Sequence, residues 1–168
     1  MAVRVVGPMQ WIVYPALLSI AATVVLGTPV ELFGLNLPEP VLPVVLAFAW
    51  PLIRPSIMAP VILMALGLFL DVFWFGPLGL WALVLSAIYG IVLLSRSFLL
   101  GQETTVQFVW YATCTVLAFV LAYVIVSLKA GNAPSILALL GQIIPTLLLF
   151  PAAHWMIERF DDGDVRFR

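Results

Sequence analysis

Charge is what this chain most lacks. Its 168 residues include 7 basic and 8 acidic side chains, or 9% charged, against roughly 25% in an ordinary soluble domain. A soluble protein covers its surface with polar groups, and so few charges cannot do that. The shortage excludes a soluble cytosolic enzyme and a disordered tail. A formal net charge of −1 leaves no basic stripe for a phosphate backbone, so nucleic acid is excluded as a partner. Cysteine occurs once, which rules out an intramolecular disulfide scaffold. Histidine also occurs once, at His154, with no second histidine or nearby cysteine. On sequence it has no acid on its face, so a metal site or a general base there is not expected. No Gly-rich phosphate loop with lysine, no HExxH and no Ser/His/Asp set is present. No cofactor, metal or catalytic residue is expected, and the chain reads as a non-enzyme.

What is present is apolar. Hydrophobic residues make up 64% of the chain. The charges punctuate it at the spacing of membrane spans, which need about 20 apolar residues each. Between Arg4 and Glu31 lie 26 uncharged residues, between Asp71 and Arg96 24, between Glu103 and Lys129 25, and between Lys129 and Glu158 28. The spacing predicts one polytopic domain of six transmembrane helices, over 9–27, 40–54, 56–75, 78–95, 105–128 and 135–157. Continuous apolar runs do not alternate as barrel strands do, so the fold class is all-α. A short charged tail, 158–168, follows.

The second span is short and crowded by Pro38, Pro40, Pro43 and Pro51. It either crosses obliquely, buried against its neighbours, or turns back. Six spans with the N-terminus inside put Arg4, Arg54, Arg96, Arg159, Arg166 and Arg168 in the cytoplasm and only Lys129 outside. That split obeys the positive-inside rule and favours a full crossing with both termini cytoplasmic. Trp11, Trp50, Trp110 and Trp155 then form an inner aromatic belt, and Trp74 and Trp81 an outer one. The first apolar stretch is too long for a signal-peptide core and reads as an uncleaved span.

Asp71 is the acid well inside an apolar run, where a charged side chain costs at least about 2.5 kcal/mol. It precedes Phe75-Gly76-Pro77-Leu78-Gly79, a tight turn in which Gly76 and Gly79 can take positive φ and Pro77 leaves no amide unsatisfied. Asp71 either accepts hydrogen bonds from the start of the next helix or serves as a relay or polar ligand contact. A leucine there would cost about 1–2 kcal/mol if it is a cap. Arg54-Pro55 marks a cytoplasmic turn, with Arg54 either a snorkelling anchor or a contact for anionic lipid. Two stripes of small residues, Ala82, Ser86 and Gly90, then Cys114, Ala118 and Ala122, repeat every four positions. Each lets a second helix approach closely, either within the bundle or from a partner. Cys114 is otherwise a small packing residue. The Asp161-Asp162-Gly163-Asp164 run is too short for a calcium loop.

Around Asp71 the chain resembles the bacterial rod shape-determining protein MreD family. The likeness rests on Leu37-Pro38, Arg54-Pro55, Gly67-Leu68-Phe69-Leu70-Asp71 and Gly76-Pro77-Leu78-Gly79-Leu80, followed by Ala82-Leu83. Length, six apolar segments and short loops match too. Phe75 stands where the family commonly has a small residue, and Trp81 where it often has a polar one. The resemblance implies a non-catalytic scaffold of the cell-elongation complex in the bacterial inner membrane, helping to control peptidoglycan synthesis and cell shape. Its implied partners are an MreC-like membrane protein and, through it, the MreB filament, RodA and its transpeptidase partner, with membrane lipids around it. The family's fold is also similar to the substrate-binding subunits of energy-coupling-factor transporters. That likeness, with the prolines at 15, 43, 51, 145 and 151, raises the alternative of a transporter subunit with a small-molecule or lipid pocket opening outward near Asp71.

Overall fold

The structure, a computed structural model, describes residues 4–7, 9–27, 31–32, 35–36, 39–130, 136–161 and 165–167. They form a helical bundle. A π-helical turn (Met9–Val13) leads into α1 (Tyr14–Leu26), followed by α2 (Pro43–Ile53), α3 (Met58–Phe73), α4 (Leu80–Leu99), α5 (Thr104–Ala130), α6 (Ile136–Leu147) and α7 (Phe150–Asp161). Two short pairings lie outside the helices. Strand β1 (Arg4–Val6) runs parallel to β4 (Val165–Phe167), and β2 (Glu31–Leu32) runs antiparallel to β3 (Leu35–Asn36). The first pairing sets the two ends of the chain side by side.

The centre of the bundle is α2. Its 11 residues, Pro-Val-Val-Leu-Ala-Phe-Ala-Trp-Pro-Leu-Ile, contain no polar side chain, and Pro43 through Leu52 are all buried. A helix apolar all round has no solvent face to offer, so it packs on every side; here α1, α3, α4, α5 and α7 surround it. Such a helix rises only about 16 Å. Its N-terminal end is tied down by Val41, whose amide donates to Thr146 Oγ1 at 3.0 Å.

Two helices, α4 and α5, are long and apolar enough to cross a membrane. The apolar stretch 135–157 is not one helix. It divides at Leu148–Leu149 into α6 and α7, because Pro145 and Pro151 remove amides that a continuous helix would need. The helix also runs on into the charged tail as far as Asp161, where buried Phe160 continues the inner face of α7. Further along, α4 extends to Leu99, past the expected end at 95.

The aromatic belts need correction. Trp11, Trp50 and Trp81 are interior residues, while Trp155 is exposed and Trp74 and Trp110 are half-buried. A buried indole needs a partner for its N–H or a ring to pack on. Trp50 Nε1 donates to the Trp11 carbonyl at 3.0 Å. Trp81 stands edge-on to both Trp74 and Phe119, with centroids 5.8 Å apart in each case.

Candidate functional site: the α3–α4 hairpin

Helix α3 ends in a Schellman-type turn. The Gly76 amide donates to the Asp71 carbonyl at 2.8 Å, and the Phe75 amide to Val72 at 3.3 Å. That turn requires one residue in the left-handed region, and it is Phe75, at φ +53°, not Gly76. The glycine that does take positive φ is Gly79, at +89°, which caps α4.

Glycine has no side chain to satisfy the free amides at a helix start. Asp71 supplies the missing acceptor from the preceding helix. Its Oδ2 accepts from the Gly79 amide at 2.8 Å and its Oδ1 from the Trp81 amide at 3.0 Å. Asp71 is 1% exposed, and two charge-assisted bonds at the positive end of a helix dipole offset that burial. No other ionisable side chain bonds it among the described residues. Both oxygens being occupied by backbone amides, this carboxylate is arranged to hold a turn.

One turn earlier on the same face, Gly67 meets α4 directly. A Cβ at Gly67 would strike the backbone nitrogen and Cα of Ala82 and the carbonyl carbon of Trp81. Gly67 and Asp71, four apart, therefore fasten α3 to the first turn of α4. The other end of α3 is fastened by Tyr89. Its hydroxyl donates to the Ser56 carbonyl at 3.1 Å and accepts from the Ser56 amide at 3.4 Å. Ser56 follows Pro55, so the Arg54-Pro55 turn is anchored to α4, while Arg54 and Pro55 themselves are exposed. On the opposite end, Trp74 Nε1 donates to Glu39 Oε2 at 2.9 Å, which ties the approach to α2 to the end of α3.

The small-residue stripes divide. Cys114, Ala118 and Ala122 are all buried inside the bundle. Ala82 is buried against Gly67. Ser86 is half-buried and returns its hydroxyl to the Ala82 carbonyl at 2.7 Å. Gly90 alone borders open space, where an added Cβ would meet nothing within 4 Å. Leu37-Pro38, the side chain of Lys129 and most of the tail after Asp161 lie outside the described residues.

His154 does have an acid on its face. Glu158 Oε1 lies 3.1 Å from Nε2, one helical turn on, and Gln107 Oε1 lies 3.2 Å from Nδ1. No group of three or more His, Cys, Asp or Glu is placed to hold a metal among the described residues.

Sequence reasoning passed over Thr146. It is fully buried. Its hydroxyl donates to Gln142 at 2.7 Å and accepts from Val41, and its carbonyl accepts from Tyr111 Oη at 2.7 Å. Its neighbour Pro145 gives no signal of this, since the amide that proline lacks would serve the Gly141 carbonyl and not that of Gln142.

Compared with protein-family models, curated proteins and solved structures, the chain matches none of them.

Proposed function

We propose that this chain is a multi-pass, non-catalytic membrane scaffold of the MreD type, seated in a bacterial inner membrane and binding an MreC-like membrane protein. Through that partner it would help to control the MreB filament, RodA and the transpeptidase, and thus peptidoglycan synthesis. The observation that carries the reading is how the motif residues meet. Gly67 lies on Ala82, Asp71 holds the amides of Gly79 and Trp81, and the turn after Arg54-Pro55 is fixed by Tyr89. Motifs that are scattered along the sequence serve a single hairpin, and a rigid hairpin is what a docking protein needs.

The surface supports life in lipid. Val61, Met64, Leu68 and Val72 make an exposed apolar line on α3, as do Val109, Val116, Val120 and Val124 on α5. Faces of this kind are not left to water by soluble monomers. The β1–β4 pairing supports both termini lying on one side, the cytoplasmic side by the distribution of arginines. Affinity purification of the tagged chain from native bacterial membranes tests the partner. An MreC-like protein should co-purify at a fixed ratio; recovery of the chain alone would contradict the scaffold reading.

A further inference from the structure

Phe75 is the odd residue of the α3–α4 turn. Among the described residues it is the one non-glycine with positive φ, at +53°, a region that strains any residue with a Cβ. Its side chain gives nothing back to the fold, being 97% exposed. Its neighbour Trp74 is the contrast, held by Glu39 Oε2 at 2.9 Å and by the Trp81 ring at 5.8 Å. An exposed side chain held at the cost of backbone strain points to a contact outside the chain.

Helix α3 indicates what that contact is. Ile57, Val61, Met64, Leu68, Val72 and Phe75 are all exposed and apolar. The steps between them are four, three, four, four and three, the spacing of one helix face. Phe75 thus carries past the end of α3 the line that faces lipid in the membrane reading. The helix itself is short. Its 16 residues rise about 24 Å, against a hydrocarbon core of about 30 Å. From Ile57 to Val72 the exposed line covers about 22 Å, and reaching Phe75 takes it to about 27 Å. The tip, Phe75-Gly76-Pro77-Leu78, has no polar side chain with which to orient a protein partner.

Resting on the membrane reading above, we propose that Phe75 is a bilayer anchor, its ring set at the outer edge of the hydrocarbon layer, where it extends the lipid face of α3 toward the full thickness of the membrane. A face that stopped at Val72 would leave about 8 Å to be met by thinning the bilayer. Phe75 replaces most of that deformation with one strained φ.

The test uses the full chain in phosphatidylcholine nanodiscs, with no partner present and its one cysteine replaced by Cys114→Ala. A nitroxide at Phe75→Cys should meet dissolved oxygen more readily than a water-soluble nickel chelate, as should labels at Leu68→Cys and Val72→Cys. A label at Glu103→Cys, in the exposed turn between α4 and α5, should show the reverse. A water-exposed label at Phe75→Cys beside lipid-exposed labels at the other two positions overturns the anchor and leaves the membrane reading standing. Water-exposed labels at all three, or a chain that does not enter the nanodiscs, sinks both.

A second measurement reads length. Quenching of the native tryptophans by brominated phosphatidylcholines of graded chain length gives the relative affinity for each lipid. In Phe75→Gly and Phe75→Ser the ratio of long-chain to short-chain affinity should fall several-fold, while Phe75→Leu should keep it. In detergent, where no bilayer thickness is imposed, Phe75→Gly should unfold at a higher temperature, so a lost preference for long chains is not a failure to fold. An unchanged chain-length preference in the glycine and serine variants overturns the proposal.

Discussion

The indole Nε1 of Trp50 donates a 3.0 Å hydrogen bond to the carbonyl of Trp11, across the contact between α2 and the π-helical turn ahead of α1. A third residue bears on it. In an α-helix the Trp11 carbonyl would accept from position 15, and Pro15 has no amide to give. A proline in one helix thus withholds one local donor from an acceptor that a tryptophan in another reaches. Trp50→Phe should destabilise the protein by about 1–3 kcal/mol, the cost of a lost buried hydrogen bond plus lost packing. Pro15→Ala restores a local donor, so the loss from Trp50→Phe should shrink in that background. Thermal unfolding of the two single variants and the double variant closes the cycle; additive effects would show that the two residues act independently.

Asp71 serves two amides at once, so its substitutions should be graded. Asparagine has one acceptor oxygen and turns its amide group toward the remaining N–H, costing about 1–2 kcal/mol. Leucine leaves both amides unsatisfied and should cost about 2–4 kcal/mol, more than the single-cap expectation from sequence. Equal unfolding temperatures for Asp71→Asn and Asp71→Leu would show that the carboxylate is not the cap of α4.

Phe75 holds a conformation suited to glycine and is 97% exposed. Phe75→Gly should therefore relieve about 1 kcal/mol of backbone strain and lose almost no packing. A higher unfolding temperature is the expected outcome.

Gly67 and Gly90 should respond oppositely to the same methyl group. Gly67→Ala drives a Cβ into the α4 backbone at Ala82 and should destabilise by about 2–4 kcal/mol. Gly90→Ala meets open space and gains helix propensity, so it should stabilise by up to about 1 kcal/mol. Purified yields and unfolding midpoints of the two variants decide the matter.

Much of this was legible in the chain because charge and proline are costly in an apolar helix. The helices over 9–27, 56–75, 78–95 and 105–128 follow the charge-free runs to within a few residues. Asp71 could be read as a cap because it sits just before a Gly-Pro-Leu-Gly turn. The break inside 135–157 had its cause in plain view at Pro145 and Pro151, yet prolines are common within membrane helices and do not by themselves say where a helix divides. Trp50 and Trp81 were misplaced for a different reason. Residue type favours the interface, but neither the Trp50–Trp11 hydrogen bond nor the Trp74–Trp81–Phe119 cluster can be found from one-dimensional spacing. The acid beside His154 is legible in the sequence, because Glu158 stands at i+4, the spacing that puts two side chains on one face. Thr146 was hidden because its partners, Val41 and Tyr111, lie 105 and 35 residues away.

The claim beneath all others is that the chain threads the bilayer repeatedly with both ends in the cytoplasm. Reporter fusions after Glu31, after Arg54, after Pro77, after Gly101 and at the C-terminus test it most directly. The fusions after Glu31 and Pro77 should report the outer side, and those after Arg54, after Gly101 and at the end the inner side. Identical sidedness for Glu31 and Arg54 would mean that α2 does not cross, and a chain found free in the soluble fraction would contradict membrane residence altogether.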